Sequence, residues 1–441
     1  MAQATLNFPR DFLWGTATAS HQVEGNNINN NWYAWEKSGH IVNRQSCGLA
    51  CDWWGGRWRE DFDRAAEAGQ NAHRLSVEWS RIQPESKRWD EDALDYYRQM
   101  LRGLIERGLT PMVTLHHFSE PLWISELGSW QNEAICEHFG AFVRKTVEAL
   151  QEYVPFWCTI NEPNVFATLA YLTGDFPPGK KSLPAVYQVI TNLIKGHSIA
   201  YQIIHQIQPE AKVGLAHQYR GFQAAHPRSP LDHWAANITS RTFNNAIPGT
   251  LINGTLRFLG IRKHLSAAAG TQDFFGLNYY TRENVAFDPL SPGTLFSKRF
   301  YPPDADFSPT GFIANDPQGF FQALKWARGF NLPIFVTENG TEDSEDNFRP
   351  RYLAEHIHQL WHAVNFNWRI QGYFHWSLTD NFEWERGWTQ RFGLWELDPV
   401  SQERHKRPSA DLYAAICHEN SLSSETISKY APEVLEKLFP N

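Results

Sequence analysis

Two glutamates stand at the ends of short apolar segments, where a carboxylate is costly to place. Glu162 ends the run Phe-Trp-Cys-Thr-Ile-Asn-Glu, and Glu338 ends the run Ile-Phe-Val-Thr-Glu in the second half of the chain. Burying a carboxylate without a partner costs desolvation energy, so such a position needs a reason. Two carboxyls that face one cleft are the reacting groups of glycoside hydrolysis. The alternative is that each Glu only pairs with a cation such as Arg74.

The elements that must position these glutamates repeat along the chain as eight apolar segments followed by helix-like stretches. The predicted strands are 12–18, 72–78, 112–118, 156–161, 212–217, 274–280, 334–338 and 372–377, and the predicted helices include 59–68, 92–107, 133–152, 186–208, 317–329 and 352–365. This α/β alternation predicts a (β/α)8 TIM barrel with its active site at the C-terminal ends of the strands. A doubly wound sheet usually carries a glycine fingerprint after its first strand, which this sequence lacks.

No linker or shift in composition divides the chain, so we predict a single catalytic domain over residues 1–441. The sequence is 42% hydrophobic, which allows a large core, and 14% aromatic with 19 Trp, which suits a cleft for flat sugar faces. The net charge of −8 is spread along the chain and gives no argument for binding nucleic acid or an anionic membrane. Residues 288–317 are predicted as an irregular loop on the active face, and the tail from 419 as a segment packed outside the barrel.

Cysteine usage and the N-terminal sequence favour a cytoplasmic protein. Five cysteines are too few and too scattered for a disulfide framework. Residues 12–19 resemble the core of a signal peptide, but this apolar stretch is short, and we interpret it as a buried strand. No segment approaches the roughly 18 apolar residues of a membrane-spanning helix.

We predict no cofactor and no metal. Cys47 and Cys51 have no further ligands at zinc spacing. His356, His358 and His362 are predicted to be a solvated surface, because residues two apart point to different helix faces. Residues 174–182 resemble a phosphate-binding loop, but two prolines remove backbone donors and the Ser comes one place late.

Nine motifs in sequence order resemble glycoside hydrolase family 1, the β-glucosidase and β-glycosidase family, from residue 8 to about 417. They are FLWGTATASHQVEG at 12–25, NAHRLSVEWSRI at 71–82, TLHHF at 114–118, TINEP at 159–163, GLNYYT at 276–281, VTENG at 336–340, WSLTDNFEW at 376–384, RFGL at 391–394 and KRPSADLY at 406–413. One such motif would be weak evidence, whereas nine in order are specific.

The resemblance implies roles for individual residues. It implies that Glu162 is the general acid/base and that Glu338 is the nucleophile. The residues implied to bind the substrate are Gln22, His117, Asn161, Tyr280, Trp376, Glu383 and Trp384, and those implied to form a supporting network are Arg74 and Asn278.

The two carboxyls must differ in protonation for this chemistry to work. We expect Arg74 to favour the anion of Glu338. We expect the negative charge of Glu338 and the apolar Trp157 to raise the pKa of Glu162. When Glu338 becomes a glycosyl ester it loses its charge, and Glu162 can then act as a base toward water.

The activity that the resemblance implies is a retaining exo-β-glycosidase acting by double displacement on unphosphorylated β-glucosides, with β-galactosides and β-fucosides as further substrates. Its partners would be small β-glycosides: a disaccharide, a short oligosaccharide from cellulose or another polysaccharide, or an aryl or alkyl glucoside. Glu383 would repel a 6-phosphate, although Arg386 lies close by in sequence. A transglycosylase would use the same residues, whereas a non-catalytic sugar-binding barrel usually lacks one of the two carboxylates.

Three departures from the family pattern lie outside the two carboxylates. Phe118 occupies a position where Trp is common, and residues 50–54 replace a His-containing segment of the outer cleft. Asn367 occupies a helix end where Gly is usual, which Asn can fill because it tolerates the left-handed conformation.

Overall fold

Eight parallel strands form a closed barrel in the computed structural model, which describes residues 4–440. The strands are β1 Leu13–Ala17, β2 Ala72–Ser76, β3 Thr110–His116, β4 Phe156–Asn161, β5 Lys212–Ala224, β6 Phe275–Phe287, β7 Ile334–Asn339 and β8 Ile370–His375. Each strand pairs in parallel with the next, and β8 pairs with β1 to close the ring. This confirms the predicted (β/α)8 fold.

Helices connect the strands on the outside of the barrel. They are α1 Trp58–Glu67, α2 Glu91–Glu106, α3 Ile135–Leu150, α4 Leu183–Ile207, α5 Pro230–Ser240, α6 Ala246–Asn253, α7 Pro317–Arg328, α8 Arg349–Asn365 and α9 Pro408–Glu419. Side chains cap several of them: Asp90 accepts from the backbone N–H of Ala93, and Ser182 accepts from that of Ala185. Every helix in the predicted set begins and ends within three residues of its expected position.

Shorter elements lie around the barrel ends. The short helices are Ser20–Glu24, Asn31–Lys37, Trp79–Ile82, Leu122–Glu126, Pro163–Thr168, Ser424–Tyr430 and Leu435–Leu438. The strand Ser421–Ser423 pairs antiparallel with Thr5–Asn7. Leu422, Ile427 and Leu438 join the core that also contains residues of α8 and α9, which confirms that the tail packs outside the barrel.

The strands β5 and β6 extend well beyond their predicted ends. They continue to pair with each other past the barrel, up to Ala224 and Val285. Residues 218–224 mix polar and aromatic side chains instead of continuing the apolar run, because here they are no longer covered on both faces. The periodicity used for prediction therefore stops at the barrel rim, although the strands do not.

The segment 288–317 is more regular than predicted. Ser297–Phe300 forms an antiparallel hairpin with the end of β6, and Asp306–Phe307 pairs with Ala314–Asn315. Its placement on the active face is as expected, since Tyr301 and Phe312 line the cleft described below.

Single side chains test further predictions. Asn367 has φ of +58° beyond the end of α8, so it takes the left-handed conformation expected of it. The prediction that His356 lies on a solvated surface is wrong, because His356 is fully buried. Asn339 donates to its Nδ1 at 3.0 Å, and its Nε2 lies 3.2 Å from Oδ1 of Asn315. Within residues 4–440, none of the helices combines the length and apolar character needed to cross a membrane.

Candidate active site

The cleft with the predicted site residues opens at the C-terminal ends of the barrel strands and has a volume of about 730 Å³. A larger apolar groove of about 920 Å³ lies between α3, α4 and residues 264–268, on the outside of the helical layer. We consider the smaller cleft the candidate site, because active sites of this fold form at the strand ends.

The structure brings the predicted site residues together. The residues that line the cleft are His117, Asn161, Glu162, Tyr280, Glu338, Trp376, Glu383 and Trp384. The other three stand directly behind them and donate hydrogen bonds to lining carboxyls: Gln22 to Glu383, Arg74 to Glu338 and Asn278 to Glu162.

Glu338 is the last residue but one of β7 and receives a hydrogen bond on each carboxyl oxygen. Nη1 of Arg74 donates to Oε1 at 2.6 Å, and the hydroxyl of Tyr280 donates to Oε2 at 2.7 Å. Arg74 is completely buried on β2, across the barrel from β7. A guanidinium held in this way favours the ionised form of its carboxylate partner.

Glu162 follows β4 and begins the helix Pro163–Thr168. Its φ of +43° lies in the left-handed region, where a residue other than Gly is strained, and such strain is often found at functional sites. Nδ2 of Asn278 donates to its Oε1 at 2.8 Å, and Thr337 donates to Oδ1 of Asn278 at 2.6 Å, which fixes the orientation of that amide. Burial and then the negative charge of Glu338 raise the pKa of Glu162 to about 8.

Arg74 also controls the orientation of a polar chain that ends at His117. Its Nη2 donates to Oδ1 of Asn161 at 2.6 Å, so the Asn161 NH2 group points to Nε2 of His117 at 2.9 Å. Burial lowers the pKa of His117 well below its usual range, so the ring is neutral. Because Nε2 accepts, Nδ1 carries the proton and offers a buried donor that has no partner within the described chain.

Gln22 and Glu383 form a second polar group in the cleft. Nε2 of Gln22 donates to the Phe382 carbonyl at 2.8 Å, to Oδ1 of Asn381 at 3.0 Å and to Oε2 of Glu383 at 3.3 Å. Its Oε1 is buried and has no donor among residues 4–440. Burial and the nearby Glu385 raise the pKa of Glu383 well above its usual range. An acceptor and a carboxyl are thus available side by side for sugar hydroxyls.

A separate cluster next to the cleft has the residue types of a metal site. Single ligand atoms of His21, Glu36 and Cys47 lie within 4.8 Å of one another. However, Oδ1 of Asn30 caps a helix by accepting from Tyr33, so its NH2 group donates to Nδ1 of His21 at 3.0 Å. With Nδ1 accepting, Nε2 of His21 carries a proton at 3.5 Å from Glu36, where a metal would need a free electron pair. The geometry therefore favours an imidazole–carboxylate pair.

Known proteins resemble this chain over nearly its whole length. The model for glycosyl hydrolase family 1 matches residues 4–422. The chain belongs to glycosyl hydrolase family 1. Beta-glucosidase A of Thermotoga maritima is 31% identical over 94% of this chain and 98% of its own length. A beta-galactosidase of Pyrococcus woesei is 28% identical over 95% of this chain and 98% of its own.

Solved structures agree with this assignment. The beta-glycosidase from Pyrococcus horikoshii has a TM-score of 0.90 and 34% sequence identity, and the match covers 97% of this chain and 98% of that one. The resemblance seen in the nine motifs is thereby confirmed. This family 1 chain is a glycoside hydrolase of the β-glycosidase type.

Sequence reasoning missed part of the cleft of this family 1 enzyme. Gln218, Arg220 and Glu283 also line it, on the extensions of β5 and β6 that the apolar pattern did not include. The predicted effect of Trp157 on Glu162 is wrong. Its indole N–H donates to Gln208 at the end of α4, and Trp157 is not part of the cleft lining.

Proposed function

We propose that the protein is a retaining exo-β-glycosidase that hydrolyses unphosphorylated β-glucosides by double displacement. The observation that carries this proposal is the difference between two buried carboxyls in one cleft. Glu338 accepts from a guanidinium and a phenol, whereas Glu162 has a pKa raised to about 8. One is thus prepared to attack as an anion, and the other to donate a proton, at the same pH.

In the first step Glu338 attacks the anomeric carbon while Glu162 protonates the leaving oxygen. The bond to the leaving group breaks and a glycosyl ester of Glu338 forms. Arg74 and Tyr280 hold the two oxygens of Glu338, so the carboxylate is oriented before the substrate arrives.

In the second step Glu162 takes a proton from water, whose oxygen attacks the anomeric carbon. The bond between that carbon and Glu338 breaks, which releases the sugar and restores the Glu338 carboxylate. The negative charge of Glu338 is one cause of the raised pKa of Glu162, and the ester has no such charge. The pKa of Glu162 therefore falls when the intermediate forms, which suits its change from acid to base. Two inversions at the same carbon return the β configuration.

We assign recognition of the sugar at the non-reducing end to the buried polar groups. The free acceptor of Gln22, the free donor of His117 and the carboxyl of Glu383 can exchange hydrogen bonds with its hydroxyls. Trp376 offers an aromatic face. Glucose is our proposed preference, with galactose and fucose as further substrates, since both beta-glucosidases and beta-galactosidases are relatives.

We propose that a 6-phosphate is excluded. Arg386 is the cation that the sequence places near Glu383, but it pairs with Glu385 at 3.1 Å and lies over the Phe312 ring at 5.4 Å. A phosphate would add charge beside Glu383, Glu385 and Glu338, whose mutual repulsion already contributes to the raised pKa of Glu383.

The cellular setting is proposed to be the cytoplasm. All five cysteines, which lie within residues 4–440, are buried free thiols. Reduced cysteines are typical of that compartment. The proposed role there is the hydrolysis of small β-glucosides, including fragments of cellulose.

The test compares the wild type, Glu338→Ala and a control variant on 4-nitrophenyl β-glucoside, with and without azide. We expect turnover by the wild type, loss by several orders of magnitude in Glu338→Ala, and rescue by azide with an α-glucosyl azide product. The control is Glu85→Gln, which changes an exposed carboxylate paired with Arg88 at 3.4 Å. A wild type that is inert on the glucoside, galactoside, fucoside and 6-phosphate would support a sugar-binding barrel instead. Capture of the glucosyl group by an added acceptor would identify a transglycosylase.

A further inference from the structure

His21 lies directly behind the side chains that are proposed to bind the sugar. It is 3% exposed and immediately precedes Gln22 in the chain. Its ring is nearly parallel to the Trp384 indole, at an angle of 15° with 5.9 Å between the ring centres, which is a favoured offset arrangement. The same ring meets Phe382 edge-on at 6.2 Å. Phe382 and Trp384 flank Glu383, so one imidazole packs against both neighbours of that carboxyl.

Trp384 requires support from its surroundings because its backbone is strained. Its φ of +48° lies in the left-handed region, which a bulky residue rarely adopts. Such a conformation persists only when the structure around it holds it in place. The indole also packs against Trp32 at 4.7 Å and Phe118 at 5.2 Å. The position of Trp384 in the cleft therefore depends on the rings behind it, and His21 is one of these rings.

Two polar partners fix the plane of the His21 ring. Nδ2 of Asn30 donates to Nδ1 at 3.0 Å, and Oε1 of Glu36 lies 3.5 Å from Nε2. Asn30 is fully buried, and the Glu36 side chain is 4% exposed. Turning the imidazole over would replace both nitrogens by C–H groups, so each partner would lose its contact. The ring that packs against Trp384 thus has one preferred orientation.

The Glu36 carboxylate is itself held on its other side. Its Oε2 accepts from the Ser46 hydroxyl at 2.8 Å and from the backbone N–H of Cys47 at 3.2 Å. The Cys47 thiol in turn donates to the carbonyl of His21 at 3.1 Å. Within residues 4–440, neither Oε1 of Glu36 nor Nε2 of His21 forms a full hydrogen bond. Their mutual attraction is weakly screened because both groups are buried, and it orients the imidazole.

We infer that His21, held by Asn30 and Glu36, is a positioning residue for the sugar at the non-reducing end. This inference rests on the proposed function. His21 acts on the substrate through Trp384, against which it packs, and through Gln22, which follows it in the chain. It takes no part in bond breaking. Its loss should therefore weaken the binding of the sugar and leave the pH dependence set by the two catalytic carboxyls unchanged.

The test measures KM and kcat on 4-nitrophenyl β-glucoside, and the inhibition constant of gluconolactone, a sugar analogue without a leaving group. His21→Phe keeps a ring beside Trp384 and removes both nitrogens. Glu36→Gln keeps the shape of the side chain, but an amide cannot accept from His21, Ser46 and Cys47 at once. We expect KM and the inhibition constant to rise about tenfold in each variant, while kcat falls less than about threefold.

The matched controls are His205→Phe and Glu85→Gln. His205 on α4 faces Asp273 at 2.9 Å, so it is an imidazole–carboxylate pair outside the cleft. Both controls should keep the wild-type constants. Combining His21→Phe with Trp384→Phe tests the route of the effect. If His21 acts through Trp384, adding His21→Phe to Trp384→Phe should raise KM by less than about threefold.

The outcomes separate this inference from the proposed function. Unchanged constants in both His21→Phe and Glu36→Gln would overturn the positioning role and leave the proposed glycosidase intact. A lower kcat with unchanged KM would also overturn it, because it indicates only fewer folded molecules, and so would a shifted pH profile of kcat/KM. A wild type inert on the glucoside would refute the proposed function, and the inference with it. Unfolding temperatures identify a variant that does not fold, and the other variant then decides.

Discussion

Replacing Glu162 by Gln removes the proposed acid/base, but it should stabilise the protein relative to the wild type by an amount that grows as the pH rises. Gln is a close copy of a protonated Glu in size and shape, and its Oε1 can still accept from Asn278, as Glu162 does at 2.8 Å. The difference between the two side chains is that Gln never ionises. The effect on stability therefore reports the cost of keeping this carboxyl protonated in the folded state.

The magnitude follows from the pKa of Glu162, which burial raises from 4.5 to about 8. Below pH 4.5 the carboxyl is protonated in both the folded and the unfolded chain, so it imposes no cost. Between these values the unfolded chain has released the proton and the folded chain retains it, so the free energy of unfolding falls by about 1.4 kcal/mol per pH unit. At pH 7 the cost is about 3 kcal/mol, and above pH 8 it stays constant. For a chain of this length, with an unfolding entropy of roughly 2.1 cal/mol/K per residue, this corresponds to about 3 °C in Tm.

The assay is Tm against pH, from about pH 4.5 to pH 9, for the wild type, Glu162→Gln and the exposed control Glu85→Gln. We expect the Glu162→Gln protein and the wild type to unfold together at the acid end. As the pH rises, the Tm of Glu162→Gln should increase relative to that of the wild type, and this difference should become constant above pH 8. The Tm of the control should follow that of the wild type throughout. If the Tm difference between Glu162→Gln and the wild type does not change with pH, or if the variant becomes less stable than the wild type as the pH rises, Glu162 is not held protonated by its surroundings.

Two further predictions concern single contacts. Tyr280→Phe removes the hydroxyl that donates to Glu338 at 2.7 Å. Because a hydrogen bond to a charged group contributes about 1.5–3 kcal/mol, kcat on the aryl glucoside should fall roughly 10- to 100-fold. The neighbouring Tyr279→Phe, whose hydroxyl is 3.2 Å from Asp316, should keep kcat within about twofold, and equal losses would contradict this role of Tyr280. Asn367→Ala places Ala at φ +58° and should cost about 1 kcal/mol in urea unfolding. Asn367→Gly should not lower the free energy of unfolding, because Gly adopts positive φ without strain. An equal loss in Asn367→Gly would refute the explanation from backbone conformation.

The barrel could be predicted because its strands are covered on both faces. Residues 156–161 are apolar apart from Thr159 and the final Asn161, and they form β4 with the predicted bounds. The same rule fails for β5, which extends to Ala224 where Gln218 and Arg220 face the cleft. A strand that emerges from the layered core no longer has the composition of a core strand.

Motifs are enough to predict the site residues, whereas contacts inferred from closeness in sequence are less reliable. The positions of Glu162 and Glu338 at strand ends identify them from sequence, but closeness in sequence wrongly predicts that Trp157 lies next to Glu162. Trp157 and Glu162 are five positions apart, and at about 3.3 Å per residue of strand this places them roughly 16 Å from each other. The orientation of the Asn161 amide, which determines the tautomer of His117, depends on Arg74 and could not be read from composition or spacing.

The contacts that assemble the catalytic centre join distant parts of the chain. Arg74 and Glu338 are separated by 264 positions, and Gln22 and Asn381 by 359. Loop closure over such distances is slow compared with the formation of local helices, and the donors and acceptors of the centre meet only when β8 has joined β1. Recovery of turnover during refolding should therefore lag behind recovery of helical circular dichroism. A nascent chain that still lacks the final barrel strand would carry both glutamates without a working active site.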